Sequence, residues 1–159
     1  MPYLIKHLRL IVLFTIFAMV FSTGYKIYIV YGNSMRPTHN TGRILVVDRN
    51  AYSLGKSHQR FDLVTINIDG ENLVKRIIGL QQENVRIKDG VIYINNKVLD
   101  DDIYGEGLIG IPEGGGLRRY LLNYAAFDVP VGHVWVIGDN RDSTWMGLVP
   151  ISKIVGKVF

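Results

Sequence analysis

The hydrophobic rhythm of the chain changes once. From Leu10 to Tyr25 the stretch LIVLFTIFAMVFSTGY carries no charge, with Lys6 and Arg9 before it and Lys26 after it. A helix that is apolar all round needs lipid, or a far larger core than this chain can supply. The pattern therefore predicts an N-terminal transmembrane helix, with residues 1–30 as a membrane anchor. Sixteen helical residues rise roughly 24 Å, short of the roughly 30 Å hydrocarbon core. Leu4, Ile5 and Leu8 extend the run, and Arg9 and Lys26 can snorkel to the interfaces. A cleaved secretory signal, with STG (Ser22–Gly24) as its small-residue cleavage site, gives the same pattern; the retained anchor is the preferred reading. In both cases the basic flank stays in the cytoplasm and the rest of the chain is exported.

After Thr38 the apolar stretches shorten to strand length. RILVVD (43–48), DLVTINI (62–68), NLVKRIIGL (72–80), NVRIK (84–88) and GVIYIN (90–95) are rich in Val, Ile and Tyr and bounded by Asn, Asp and Gly, which predicts strands. Asp89-Gly90 has the positive-φ chemistry of a two-residue hairpin turn, and Asn95-Asn96 predicts a second. HVWVIGD (133–139) and KIVGKVF (153–159) read as closing strands. Between residues 100 and 128 the pattern is irregular. EGGG (113–116) reads there as a loop, and LRRYLLNYAAF (117–127) fits a short helix and a strand equally. The expected fold is mainly β: a β-rich domain over 31–159 behind the anchor, with an irregular insertion around 100–128.

Composition excludes more than it adds. The 159 residues are 48% hydrophobic, with a net charge of +4. Lys and Arg are spread along the chain without a block of five, so nothing points to nucleic acid; attraction to a lipid bilayer explains the sign as well. The absence of cysteine rules out disulfides, thiolate catalysis and Cys-based zinc sites together. His7, His39, His58 and His133 do not pair at metal-ligand spacing. No metal, nucleotide or other cofactor is implied.

Candidate chemistry begins just after the apolar run. YGNSMRPT (31–38) makes a poor helix and a poor central strand, so it reads as a tight turn holding Ser34. A surface serine is the plain alternative. A serine hydroxyl becomes a nucleophile only when a base takes its proton. Each histidine reads as a surface or turn residue, with His39 first among them as a rival base. The strand LVKRIIG puts Lys75 on one face between Leu73 and Ile77, and Arg76 on the other. Arg76 cannot deprotonate. Lys75 can, because burial lowers an amine's pKa, by up to about 3–5 units. A lysine snorkelling from an amphipathic strand remains the alternative on the strand alone.

GNSMRPT, LVKRIIGL with the trailing VRIKDGVIYINNKVL, and VWVIGDNRDS, in that order behind an apolar segment, resemble the boxes of type I signal peptidases. These are membrane-anchored serine proteases with a Ser-Lys dyad. The resemblance implies a signal-peptidase or repressor-protease-like β catalytic domain on the extracytoplasmic face of the cytoplasmic membrane, cleaving exported preproteins. It assigns Ser34 as nucleophile, Lys75 as general base, and the Ser34 N–H to an oxyanion hole. Gly138, Asp139, Asn140 and Arg141 match the box beside the dyad, where Asp139 and Asn140 fix the turn. Three departures stand out. Gly32 occupies a position where some members carry an oxyanion-hole hydroxyl. The segment after GDNRDS is short, which makes Ser143 the candidate to orient the lysine. Phe61 replaces a usual glycine, and LQQEN lacks the usual Pro-Gly turn. A dedicated peptidase or cyclase maturing a pilin precursor in a conjugation or pilus system is the nearest alternative. Alternatives of another class are a self-cleaving repressor-type regulator and an inactive anchored binding module.

Overall fold

The computed structural model describes residues 2–22, 24–53, 55–100, 123–141 and 144–159. Helix α1 (Pro2–Ser22) is followed by strands β1 (Tyr25–Ile29), β2 (Ile44–Asp48), β3 (Leu63–Ile68), β4 (Glu71–Gly79), β5 (Asn84–Lys88), β6 (Val91–Ile94), β7 (Lys97–Val98), β8 (Asn123–Asp128), β9 (His133–Ile137), β10 (Met146–Pro150) and β11 (Ile154–Val158), with a 3-10 turn at Ile151–Lys153. The described residues are thus mainly β. They form a seven-stranded sheet in the order β1-β2-β11-β3-β4-β9-β10 and a four-stranded sheet in the order β7-β6-β5-β8. Every pairing is antiparallel.

The N-terminal segment departs from the expected anchor over residues 1–30. Gly24 turns the chain with a φ of 103°, and from Tyr25 the sequence YKIYI alternates and pairs with β2, Tyr25 opposite Asp48 through Ile29 opposite Ile44. Lys6 and Arg9 lie inside α1, so its charge-free part is Leu10–Ser22. Among the described residues no helix is long and apolar enough to cross a membrane.

Turn chemistry sets the strand register. Asp89 and Gly90 both take positive φ, as do Asn95 and Asn96, and a third pair, Asp69-Gly70, joins β3 to β4 in the same way. The alternative left open at residues 117–127 resolves in part: Asn123–Asp128 is strand β8, bonded to β5. Residues 101–122, including EGGG, lie outside the described residues. Outside these hairpin turns, two further non-glycine residues hold the left-handed region, Phe61 at φ 70° and Gln82 at φ 66°. These positions contain the departures noted above, and each conformation costs an L-residue roughly 1–2 kcal/mol. Packing and backbone bonds offset it. Phe61 lies against the core formed by Ile78, Trp135 and Ile137 and its N–H donates to the Ile77 carbonyl at 2.8 Å. The Gln82 N–H donates to the Val129 carbonyl at 2.7 Å.

Strand β9 is buried on both faces, which explains its unbroken apolar run. Trp135 and Ile137 pack with Ile78, Val85, Ile87 and Ile92. Val134 and Val136 pack with Val64, Ile66, Ile77 and Val149. Each such side chain stabilises the fold by about 1.5–3 kcal/mol. A third cluster, Val30, Met35, Leu45, Val47, Leu63 and Val158, lies under the loop between β1 and β2. That cluster positions the site.

Candidate active site

The loop from Tyr31 to Gly42 folds back on itself. The Val30 N–H donates to Arg43 O and the Gly42 N–H to Val30 O, both at 2.9 Å, closing its neck. Within it the Arg36 N–H donates to Asn33 O and the His39 N–H to Met35 O. Thr41 Oγ1 donates to Gly32 O at 2.8 Å, and the Arg36–Pro37 peptide is cis. Met35, 1% exposed, pins the loop into the third cluster. Its neighbour Ser34 is held half-buried, facing the middle of β4.

Lys75 comes from β4, opposite Val64 of β3. It is 2% exposed. Its Nζ lies 3.0 Å from Ser34 Oγ and 3.1 Å from the Val74 carbonyl. Burial pulls its pKa down from 10.5 to about 8, although the Asp139 carboxylate partly opposes this. A neutral amine is therefore accessible near physiological pH, and at 3.0 Å it can accept the serine proton. The Ser34 hydroxyl bonds to Lys75 and not to His39, whose imidazole is buried, with its pKa lowered by desolvation and then by Arg43. His58 stacks on Tyr52 and His133 lies near the Val131 carbonyl.

The GDNR box grips the serine loop from behind. The Asn140 N–H donates to the Ser34 carbonyl and Asn140 Nδ2 to the Asn33 carbonyl, each at 3.0 Å. This approach requires glycine at 138, because a Cβ there would lie 2.3 Å from the Ser34 carbonyl oxygen. Asp139 is 4% exposed and pairs in a two-pronged bridge with Arg76, Nε to Oδ1 at 2.9 Å and Nη2 to Oδ2 at 2.8 Å. Arg76 Nη1 also donates to the Phe61 carbonyl at 2.7 Å. The Lys-Arg pair of β4 thus divides its work between its two faces: the amine meets the serine, and the guanidinium ties β4 to the box. Arg141 is buried and its N–H donates to Asp139 O at 2.9 Å. Gly32 has a φ of 93° and open space where a Cβ would be. Room for a side chain exists there, but the backbone favours glycine. Ser143 lies outside the described residues.

A cleft of about 100 Å3 opens beside the dyad, lined by Tyr28–Tyr31 of the first strand and its exit, by Asn72–Lys75 of β4, and by Thr65. Sequence reasoning did not single out Thr65. It is 1% exposed, and among the described residues its hydroxyl has no hydrogen-bond partner. A lone threonine in an apolar strand carries no signal of this. The Arg76–Asp139 bridge was also missed; its only trace was an arginine between apolar neighbours.

Residues 4–159 match the profile of the family described as signal peptidase, peptidase S26. The chain belongs to that family. Relatives of this signal peptidase include signal peptidase I of Bacillus caldolyticus, 34% identical over 138 residues, covering 82% of this chain and 75% of the relative. Signal peptidase I U of Bacillus subtilis strain 168 is 30% identical over 162 residues, 96% of this chain and 84% of the relative. The crystal structure of a signal peptidase I from Enterococcus faecalis V583 superposes with a TM-score of 0.50 at 27% identity, covering 65% of this chain and 98% of that one. The enzyme is accordingly a serine endopeptidase of the signal peptidase I type, acting in signal peptide removal. That assignment sets aside the repressor-type regulator.

Proposed function

We propose that Ser34 is the nucleophile and Lys75 the general base of a single-pass membrane peptidase that cleaves exported preproteins on the extracytoplasmic face. The observation that carries this is the 3.0 Å bond between Ser34 Oγ and a buried amine titrating near 8. Lys75 takes the hydroxyl proton as Ser34 Oγ attacks the scissile carbonyl. The Ser34 N–H, which donates to no group among the described residues, faces the developing oxyanion. The ammonium of Lys75 then protonates the leaving amine, and an acyl-enzyme remains. Water, deprotonated by Lys75, attacks the ester and frees the serine. An extended substrate lies along the cleft as an added strand, and a volume of about 100 Å3 suits small side chains such as alanine flanking the cut.

The membrane reading rests on α1. Its Leu10, Ile11, Leu13, Phe14 and Phe17 are all more than half exposed, an apolar surface that nothing else among the described residues covers. Leu10–Ser22 reaches roughly 20 Å as a helix; Ile5 and Leu8 lengthen it while Lys6 and Arg9 snorkel toward the cytoplasmic headgroups. Protease added to intact spheroplasts should digest the β domain; full protection there would reverse this topology.

The dyad is tested on a peptide with an Ala-x-Ala site. Ser34→Ala, Lys75→Ala and Lys75→Arg should each lose about 100-fold or more in kcat/KM while remaining folded. Near-normal turnover in Lys75→Arg would move the base elsewhere, with His39 first to test. Mass spectrometry of exported proteins, with and without the enzyme, separates general processing from a dedicated role. Many unprocessed precursors support the first, and a single pilin-like precursor the second.

A further inference from the structure

A second cleft, polar and far larger than the catalytic one, opens where α1 meets the sheet. Its volume is about 770 Å3 and its walls include Ser22, Arg49, Asn50, Asn67, Ser152 and Lys153. Among the described residues two cations line it and no carboxylate does. The neighbouring acid in sequence, Asp48, accepts the Asn50 N–H at 2.8 Å. Asn67 is engaged with Asn72. Arg49 and Lys153 are both exposed, and among the described residues neither is bridged to an acid. The cleft is fixed relative to the helix: the Arg49 N–H donates to the Gly24 carbonyl at 2.9 Å, at the point where the chain leaves α1. The peptidase mechanism uses none of these residues.

We propose that this cleft binds the phosphodiester of a membrane lipid headgroup. The inference rests on the reading of α1 as the anchor, because the end of a spanning helix lies at the depth of the lipid phosphates. The guanidinium of Arg49 matches a phosphate in fork geometry, Lys153 adds a second charge, and Ser152 offers a neutral donor. The negative end of the α1 dipole opposes an anion here, but that contribution is screened at a wet surface and two full cations outweigh it. A bound headgroup would fix the height and tilt of the sheet over the bilayer, and with them the distance from the membrane to Ser34.

The test uses the full chain in phosphate-free maltoside micelles, titrated with dihexanoyl phosphatidylglycerol and followed by broadening of its 31P resonance. The double variant R49Q/K153Q should weaken binding by about tenfold or more and leave peptide cleavage in phosphate-free micelles unchanged. Equal affinity in the variant would overturn the proposal. So would inorganic phosphate binding as tightly with the same dependence on both residues, which would mark a free-anion site. Carbonate extraction of membranes carrying the chain tests the anchor separately. Release from the pellet would remove the anchor and the lipid source together, whereas retention with an unchanged R49Q/K153Q titration would remove the headgroup site alone.

Discussion

Replacing Lys75 with methionine should make the enzyme inactive and, at neutral pH, more stable. The lysine titrates near 8 in the fold against 10.5 for the free side chain. A difference of 2.5 units corresponds to about 3 kcal/mol. The sign is set by proton uptake. Between pH 8 and 10.5 the unfolded chain binds a proton that the fold does not, so stability rises with pH across that window. Below pH 8 both states carry the charge, and the full cost of burying an ammonium is present. Lys75→Met keeps the length and removes that cost. It also loses the bonds to Ser34 Oγ and the Val74 carbonyl, about 1 kcal/mol each. The variant should therefore be more stable by about 1 kcal/mol at pH 7, equal near pH 9, and less stable by pH 10. Thermal melts of the full chain in micelles, wild type and variant side by side from pH 6.5 to 10, read this as a difference of a few degrees that changes sign. Other titrating groups cancel in the comparison. A difference that stays constant over that range would refute the claim that the buried amine is what titrates. The wild-type rate carries the same signature, with kcat/KM rising about tenfold per pH unit below 8 and levelling above it.

Two further outcomes follow from buried polar groups. Asp139→Asn leaves the Arg76 guanidinium without its counter-charge and should cost about 3–5 kcal/mol in a denaturant melt. It also removes the carboxylate that raises the Lys75 pKa, so the acid limb of the rate profile should move to lower pH; an unmoved limb would mean that Asp139 has no electrostatic reach to the dyad. Thr65→Val replaces a buried hydroxyl without a partner by a methyl group and should gain about 1 kcal/mol in the same melt; a loss would mean that the hydroxyl is satisfied by an enclosed water.

The parts of this enzyme legible in its sequence are those written locally. Asp89-Gly90 and Asn95-Asn96 announced their hairpins because positive φ is a property of two adjacent residues. Ser34 stood out in a turn-forming octet, and Lys75 by its apolar neighbours. What was missed depends on partners far along the chain. The arginine beside Lys75 finds Asp139, 63 positions later. Strand β1 alternates clearly as YKIYI, but it abuts the apolar helix and was absorbed into it. Strand β10 lies at the sheet edge and holds Gly147 and ends in Pro150, two residues that disguise an edge strand. Phe61 and Gln82 were noticed only as departures, since nothing in the residues themselves reveals a left-handed backbone held by distant packing.

The grip of Asn140 on the Ser34 carbonyl also dictates when the enzyme becomes one. The serine loop is made early in synthesis and its lysine soon after, but the residues that clamp the loop come more than a hundred positions later, separated from it by both sheets. Contacts of such long range are the slowest to form. A growing chain therefore carries Ser34 and Lys75 long before it carries the Asn140 that holds the serine loop in place. The serine loop takes its clamped form only when the second half folds back onto the first. On the proposed roles of Ser34 and Lys75, a partly made chain would lack the clamp on its serine loop and so be unable to cut its own N-terminal segment.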